Sequence, residues 1–187
     1  MKGESNAESG AVYGVEARVL SPSGHALHAW CDDANAYGLY VEAGKAYFAG
    51  YATFAGGYGD LAENYRAENV EAGDVVVIGK GGVLVRCAKE MDTTVAGIVS
   101  TSPSMKLSGR IEDGDGAAPL ALVGRVACKV DATRYPVKPG DLLVTSATPG
   151  HAMKCRSRRP AAGTVVGKAL EGLDTGRGVI QVLVTLR

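Results

Sequence analysis

Glycine sets the strongest limit on how this chain can fold. It supplies 26 of the 187 residues, and it falls between short apolar runs. A glycine inside a helix costs about 1 kcal/mol relative to alanine, so a chain cut this often cannot sustain long helices. The glycines follow no Gly-x-y period, which excludes a collagen triple helix. Short runs rich in Val, Ala and Tyr, each followed by a turn, predict an all-β chain. The Ala-rich stretches offer a helical alternative that the glycines cut short.

Packing material is unevenly distributed. Ten of the eleven aromatic residues lie between Tyr13 and Tyr65, and Tyr135 stands alone beyond them. From about residue 70 onward Val, Leu and Ile take over. Residues 11–58 form a loose repeat: Val12-Tyr13-Gly14-Val15, Gly24-His25-Ala26-Leu27, Tyr37-Gly38-Leu39-Tyr40-Val41, Tyr47-Phe48-Ala49-Gly50-Tyr51. The glycines at 14, 24, 38 and 50 stand 10 to 14 residues apart, which suits one short strand and one turn per unit. A ribbon of this kind has open edges, and few large side chains offset the entropy of ordering it. Winding together with identical chains closes the edges and completes the core. The expectation is an interchain β stalk over 11–58, β-helix or β-prism-like, after a flexible polar N-terminus at 1–10.

Residues 59–187 read as a compact β-barrel or β-clip-like head. Expected strands are Val75–Ile78, Val83–Cys87, Val95–Val99, Leu120–Val130, Leu142–Thr145, Thr164–Ala169 and Ile180–Leu186. Expected loops include Gly79-Lys80-Gly81-Gly82, residues 112–116, Pro149-Gly150 and Thr175-Gly176-Arg177-Gly178. An internal echo runs through this part. Val70-Glu71-Ala72-Gly73-Asp74-Val75-Val76-Val77 matches Val137-Lys138-Pro139-Gly140-Asp141-Leu142-Leu143-Val144. Downstream, Val95-Ala96-Gly97-Ile98-Val99 parallels Val165-Val166-Gly167-Lys168-Ala169 in the same order. Each Gly-Asp pair predicts a tight turn leading into a buried strand. Two such units predict a pseudo-twofold arrangement.

The charge balance narrows the partners. Twenty basic residues meet twenty acidic ones, with pI near 6.8, so no overall field draws the chain to nucleic acid. No run approaches the length of a membrane span, and membrane insertion is not expected. Met1 to Gly10 is polar and carries no signal-peptide pattern, so the chain is expected to be made in the cytoplasm and to leave by another route. Cys31, Cys87, Cys128 and Cys155 contain no Cys-x-x-Cys and read as buried free thiols.

The motifs that carry chemistry are weak. His25-x-x-His28-x-x-Cys31-Asp32-Asp33 gathers ligand types, but on a strand a spacing of three sends the histidines to opposite faces. Asp113-Gly114-Asp115-Gly116 starts like a calcium loop and lacks its later ligands. Gly79-Lys80-Gly81-Gly82 is no phosphate loop, and no Gly-x-Ser-x-Gly or dinucleotide fingerprint occurs. No catalytic residue, metal or cofactor is assigned, and the chain reads as a non-enzyme. The one basic run, Lys154-Cys155-Arg156-Ser157-Arg158-Arg159-Pro160, is favoured as a solvated loop; Arg156, Arg158 and Arg159 are its candidate contacts to an acidic glycan or phosphate. Trp30, Tyr37 and Tyr40 are candidates for stacking on sugars, against the more ordinary use of such rings as core.

Gly59-Asp60-Leu61-Ala62-Glu63-Asn64-Tyr65, the Gly-Asp-Val strand, Val95-Ala96-Gly97-Ile98-Val99-Ser100 and Pro103 resemble the C-terminal domains of phage-type tail appendages. The similar region covers roughly 59–187, and the nearest named relative is the peptidase G2 intramolecular-chaperone domain of neck-appendage proteins. The upstream Tyr-Gly-Leu-Tyr and Ala-Gly-Tyr patterns resemble the glycine-rich repeats of bacterial and phage fibres. The resemblance implies a structural homotrimer of intertwined strands ending in a globular head. Its setting would be a virion or phage-like particle acting outside the cell, with other tail proteins and a cell-surface glycan or receptor as partners. Two alternatives are a glycan-binding adhesin tip and a self-cleaving chaperone domain.

Overall fold

The computed structural model describes residues 57, 59–107, 111, 114, 116–157 and 162–184, with positions 20, 25, 27, 39, 46, 48, 49 and 52–54 ahead of them. The chain divides into two units, Met1–Ala52 and Thr53–Arg187. The strands expected for the stalk, like the N-terminus at 1–10, lie outside the described residues.

The second unit is all-β. Ten strands follow one another: β1 (Asp60–Arg66), β2 (Val75–Ile78), β3 (Leu84–Arg86), β4 (Val95–Ile98), β5 (Met105–Leu107), β6 (Ala117–Asp131), β7 (Leu142–Thr145), β8 (Ala152–Lys154), β9 (Val165–Ala169) and β10 (Arg177–Val184). Among the described residues, the only helical piece is one 3-10 turn at Lys80–Gly82, where a plain loop was expected. Seven strands form one sheet in the order β10-β9-β7-β8-β6-β1-β5, and β10 also pairs with β6. That pairing closes β10, β9, β7, β8 and β6 into a five-stranded barrel. The other three strands form a small sheet, β3-β2-β4.

The long strand β6 belongs to both halves of the large sheet. Its first half runs antiparallel to β1 and its second half to β10, and Gly124 is the residue where the two pairings meet, opposite both Asp60 and Val184. Gly124 has φ of 118°, and a Cβ there would lie 2.4 Å from the Gly59 carbonyl oxygen. Only glycine allows the strand to change partners so tightly.

The echo seen in the sequence is an echo in backbone bonding. Asp74 N donates to Glu71 O and Asp141 N to Lys138 O; each aspartate carboxylate in turn accepts from the amide three residues back, at 2.9 Å in the first copy and 2.8 Å in the second. Gly73 N donates to Val99 O as Gly140 N does to Ala169 O. Cys87 N reaches Val75 O as Cys155 N reaches Leu142 O. Both copies carry a register shift at the same place, between Val76 and Val77 and between Leu143 and Val144. The β3-β2-β4 sheet and the β8-β7-β9 wall of the barrel are thus two copies of one three-stranded unit.

Burial follows from this. Inward positions of β10 alternate, with Ile180, Val182 and Val184 buried, as a one-sided strand requires. In β2 the run Val75-Val76-Val77 is wholly buried. Val75 and Val77 join the main core with Leu143, Val126 and Val130, whereas Val76 joins a second cluster with Leu84, Val99 and Leu120. A strand covered on both faces needs a continuous apolar run.

Of the expected strands, Val75–Ile78 and Leu142–Thr145 have the observed bounds, and the other five differ by one to three residues at their ends, with the expected end of the last, Leu186, outside the described residues. β10 starts at Arg177, so Arg177 and Gly178 belong to a strand and not to the loop expected there. Cys87 and Cys128 are buried and Cys155 half-buried, all three free; Cys31 lies outside the described residues.

Candidate ligand-binding cleft

Among the described residues of the head, two side-chain clusters gather several charged groups each. The first is built on the Gly-Asp turn before β2. The Asp74 carboxylate is buried and accepts from Arg86 Nε at 2.7 Å, Lys129 Nζ at 2.8 Å and the Glu71 amide at 2.9 Å. Lys129 Nζ also pairs with Glu71. Burial alone would push the Asp74 pKa up, but the bonds from Lys129, the Glu71 amide and Arg86 outweigh it and hold the carboxyl below its ordinary value. Gly150 makes room for this cluster: it has φ of 72°, and a Cβ there would sit 2.5 Å from Asp74 Oδ1. The equivalent Asp141 has one cation, Lys154 Nζ at 2.7 Å. Every charge in these clusters is matched by a partner, which is the pattern of a structural network.

The second cluster lines a cleft of about 140 Å³. Three loops and one strand form it: Glu90 after β3, Asp131 to Tyr135 at the end of β6, Ser146 to Thr148 after β7, and Met153 on β8. Glu90 Oε1 accepts from Arg134 Nη1 at 2.9 Å. The Asp131 carboxylate accepts from the Thr133 amide at 2.8 Å and from the Thr148 hydroxyl. Hydrogen bonds from Thr133 and Thr148 lower its pKa to about 2 against the opposing pull of burial, so it is ionised at any physiological pH. The Thr148 loop is itself pinned, because Ser146 Oγ donates to Thr148 O and accepts from Thr148 N, both at 3.1 Å.

Arg156 is the one predicted site residue that the structure places in this region. Its guanidinium lies 4.3 Å from the centre of the Tyr135 ring, and Nη1 donates to the Tyr135 hydroxyl at 2.8 Å. Arg134 approaches the same ring at 5.5 Å. Cation–π contact and hydrogen bond together fix the ring. Arg158, Arg159, Trp30, Tyr37 and Tyr40 lie outside the described residues, as do His28 and Cys31 of the histidine-cysteine motif. The solvated loop expected at Lys154–Pro160 needs correction at its start: Lys154 ends β8 and is tied to Asp141. The local reason is the register of β8 against β7, which sets Lys154 opposite Leu143.

Glu90, Asp131, Tyr135 and Thr148 carried no sequence signal as a group. They come together only because the barrel brings three loops to one place. The sole hint was Tyr135, isolated from every other aromatic residue in the chain.

No protein-family model matches the sequence. Among solved structures, the crystal structure of the pre-mature bacteriophage phi29 gene product 12 is similar to this chain at 17% identity and a TM-score of 0.48. The match covers 70% of this chain and 22% of that one, so the chain corresponds to about a fifth of the longer protein.

Proposed function

We propose that this chain is a structural component of a phage-type tail fibre or spike: a non-enzymatic homotrimer with an interchain stalk over 11–58 and a β head that meets a receptor outside the cell. The observation that carries this reading is apolar surface left open in one copy. Leu20, Leu27, Leu39 and Phe48, all in the repeat, are 83%, 71%, 69% and 65% exposed. Apolar side chains so exposed are what a neighbouring copy would cover on this reading, and the periodic glycine/aromatic pattern fits like chains packing on one another. The head has an open edge of its own: β5 is the last strand of its sheet among the described residues, and Met105 and Leu107 on it are exposed. Light scattering on the purified chain tests the reading. The expected mass is three times the 19.2 kDa chain; a clean monomer at low micromolar concentration refutes it.

A second reading, self-cleavage where repeat and head meet, is favoured by one feature. Asp60 is only 3% exposed, and neither of its carboxylate oxygens finds a hydrogen-bond partner among the described residues. A buried carboxylate without partners is costly and calls for a role. It opens β1 next to Ser104, whose hydroxyl accepts from Gly59 N at 3.0 Å while its own amide donates to Asp60 O at 3.0 Å. Prolonged incubation followed by intact-mass measurement decides: fragments that disappear in Asp60→Asn support cleavage, and an unchanged 19.2 kDa species rejects it.

A further inference from the structure

We infer that the cleft beside Tyr135 binds one ring of a neutral saccharide. The inference gives a ligand class to the receptor contact proposed above and rests on that reading. Size is the first argument. At about 140 Å³ the cleft is well below the roughly 300–1,000 Å³ of sites that engulf drug-sized ligands, so it takes a single ring and leaves the rest of a chain outside.

Polarity is the second. Met153 and the Tyr135 ring, one face of which Arg156 covers, give the cleft an apolar side, and Glu90, Asp131 and Thr148 give it a polar one. A pyranose has the same two-sided character: a patch of C–H groups against an aromatic or thioether surface, and a rim of hydroxyls that donate to carboxylates. Each carboxylate oxygen accepts more than one hydrogen bond, so the bonds already made to Glu90 and Asp131 leave acceptor capacity.

Charge is the third, and it selects neutral sugars over acidic ones. The basic run in the sequence pointed to an acidic glycan or phosphate. In the fold, Arg134 is paired with Glu90 and Arg156 is stacked on Tyr135 and bonded to its hydroxyl. An anion entering the cleft would meet the carboxylates of Glu90 and Asp131, while Arg134 is already paired with Glu90 and Arg156 already bonded to Tyr135. The arginines hold the walls, and hydroxyl donors suit the remaining acceptors. Pre-organisation helps here: the Ser146–Thr148 bonds and the Arg156–Tyr135 clamp fix the walls before a ligand arrives.

Saturation-transfer NMR on the full chain tests this with glucose, galactose, mannose, N-acetylglucosamine, glucuronate and inorganic phosphate, each at tens of millimolar. At least one neutral sugar is expected to bind. Tyr135→Ala and the surface substitution Glu90→Gln should each weaken it about tenfold, the equivalent of about 1.4 kcal/mol, with the oligomeric mass unchanged. Binding of no neutral sugar, stronger binding of glucuronate or phosphate, or undiminished binding by Glu90→Gln overturns the inference. Light scattering on the same samples keeps the two readings apart. A sugar-binding monomer removes the fibre assembly only, and a trimer that binds no sugar removes the cleft only.

Discussion

Replacing Asp74 with alanine takes one carboxylate away from three donors at once. Arg86 Nε, Lys129 Nζ and the Glu71 amide all reach it within 2.9 Å, and the carboxylate side chain is only 2% exposed. Charge-assisted hydrogen bonds contribute roughly 1.5–3 kcal/mol each and do not add. Breaking a fully buried ion pair costs about 3–5 kcal/mol. Here the cations keep an escape to water, with Arg86 and Lys129 side chains 40% and 19% exposed, so the lower end applies: about 3 kcal/mol. The molecule supplies its own control. Asp141 occupies the equivalent turn, binds one lysine and one amide, and its side chain is 23% exposed. Asp141→Ala should therefore cost about 1 kcal/mol. In urea, with a slope of about 2 kcal/mol/M, the midpoints should fall by about 1.5 M and about 0.5 M. Because Asp74 is held below its unfolded value, its stabilisation is fully present at neutral pH. It drains away as pH drops beneath 3.8 toward the lowered folded value. Asp74→Asn should lose that acid-side component. Equal costs at the two aspartates, or a cost below about 1 kcal/mol at Asp74, would show that the turn's backbone bonds and not its carboxylate hold the first copy against the barrel.

Other substitutions probe other joints. Gly150→Ala should destabilise by about 2 kcal/mol, because it forces a left-handed non-glycine residue and drives a methyl into Asp74; thermal melting reads it, and pairing it with Asp74→Ala should cost less than the sum. Leu143→Ala, at a fully buried position, should cost about 3 kcal/mol in chemical denaturation. On the proposed fibre assembly, Leu39→Asp should shift the solution mass from trimer toward monomer while the far-UV signal of the head persists, since it charges an exposed apolar side chain that this reading sets against a neighbouring copy.

How far the fold was legible depended on which way each strand faces. β2 and β7 could be read to the residue because both are continuous apolar runs set off by Gly-Asp. β1 could not, since its fully buried positions are Asp60, Ala62 and Asn64, with Leu61 and Tyr65 only half-buried. That pattern inverts the signal of a strand against a core. β5 and β8 are three residues each, too short for any period to show. The cleft was hidden for a different reason. Glu90 lies 41 positions before Asp131, and what joins the loops is the pairing of β6 with β8 at Val130 and Ala152, together with the bonds from the Met91 and Asp92 amides to Thr145. Arg156 was visible as part of a basic run, but the run pointed to free cations, and the fold spends this one on Tyr135.

The two copies of the three-stranded unit have diverged where they meet different surroundings. The second copy is barrel wall: β7, β8 and β9 continue into β6 and β10, so its Gly-Asp turn needs little beyond one lysine. The first copy shares the main core with the barrel, and several backbone bonds at its turns cross the seam. Val75 N donates to Gly150 O, Gly150 N to Cys87 O and Lys129 N to Gly73 O, and Asp74 binds Lys129 of β6 across the same seam. The larger ionic cluster thus stands where the small sheet meets the barrel, and the glycine opposite Asp74 leaves room for its carboxylate. It also fixes where the head should open first under load. Separation of the β3-β2-β4 sheet along the Asp74–Lys129 seam exposes Val75, Val77 and Ile98 while the five-stranded barrel stays closed. Native-state hydrogen exchange checks this: amides of β2 and β4 should exchange ahead of those of β6 and β10, and the gap should widen in Asp74→Ala.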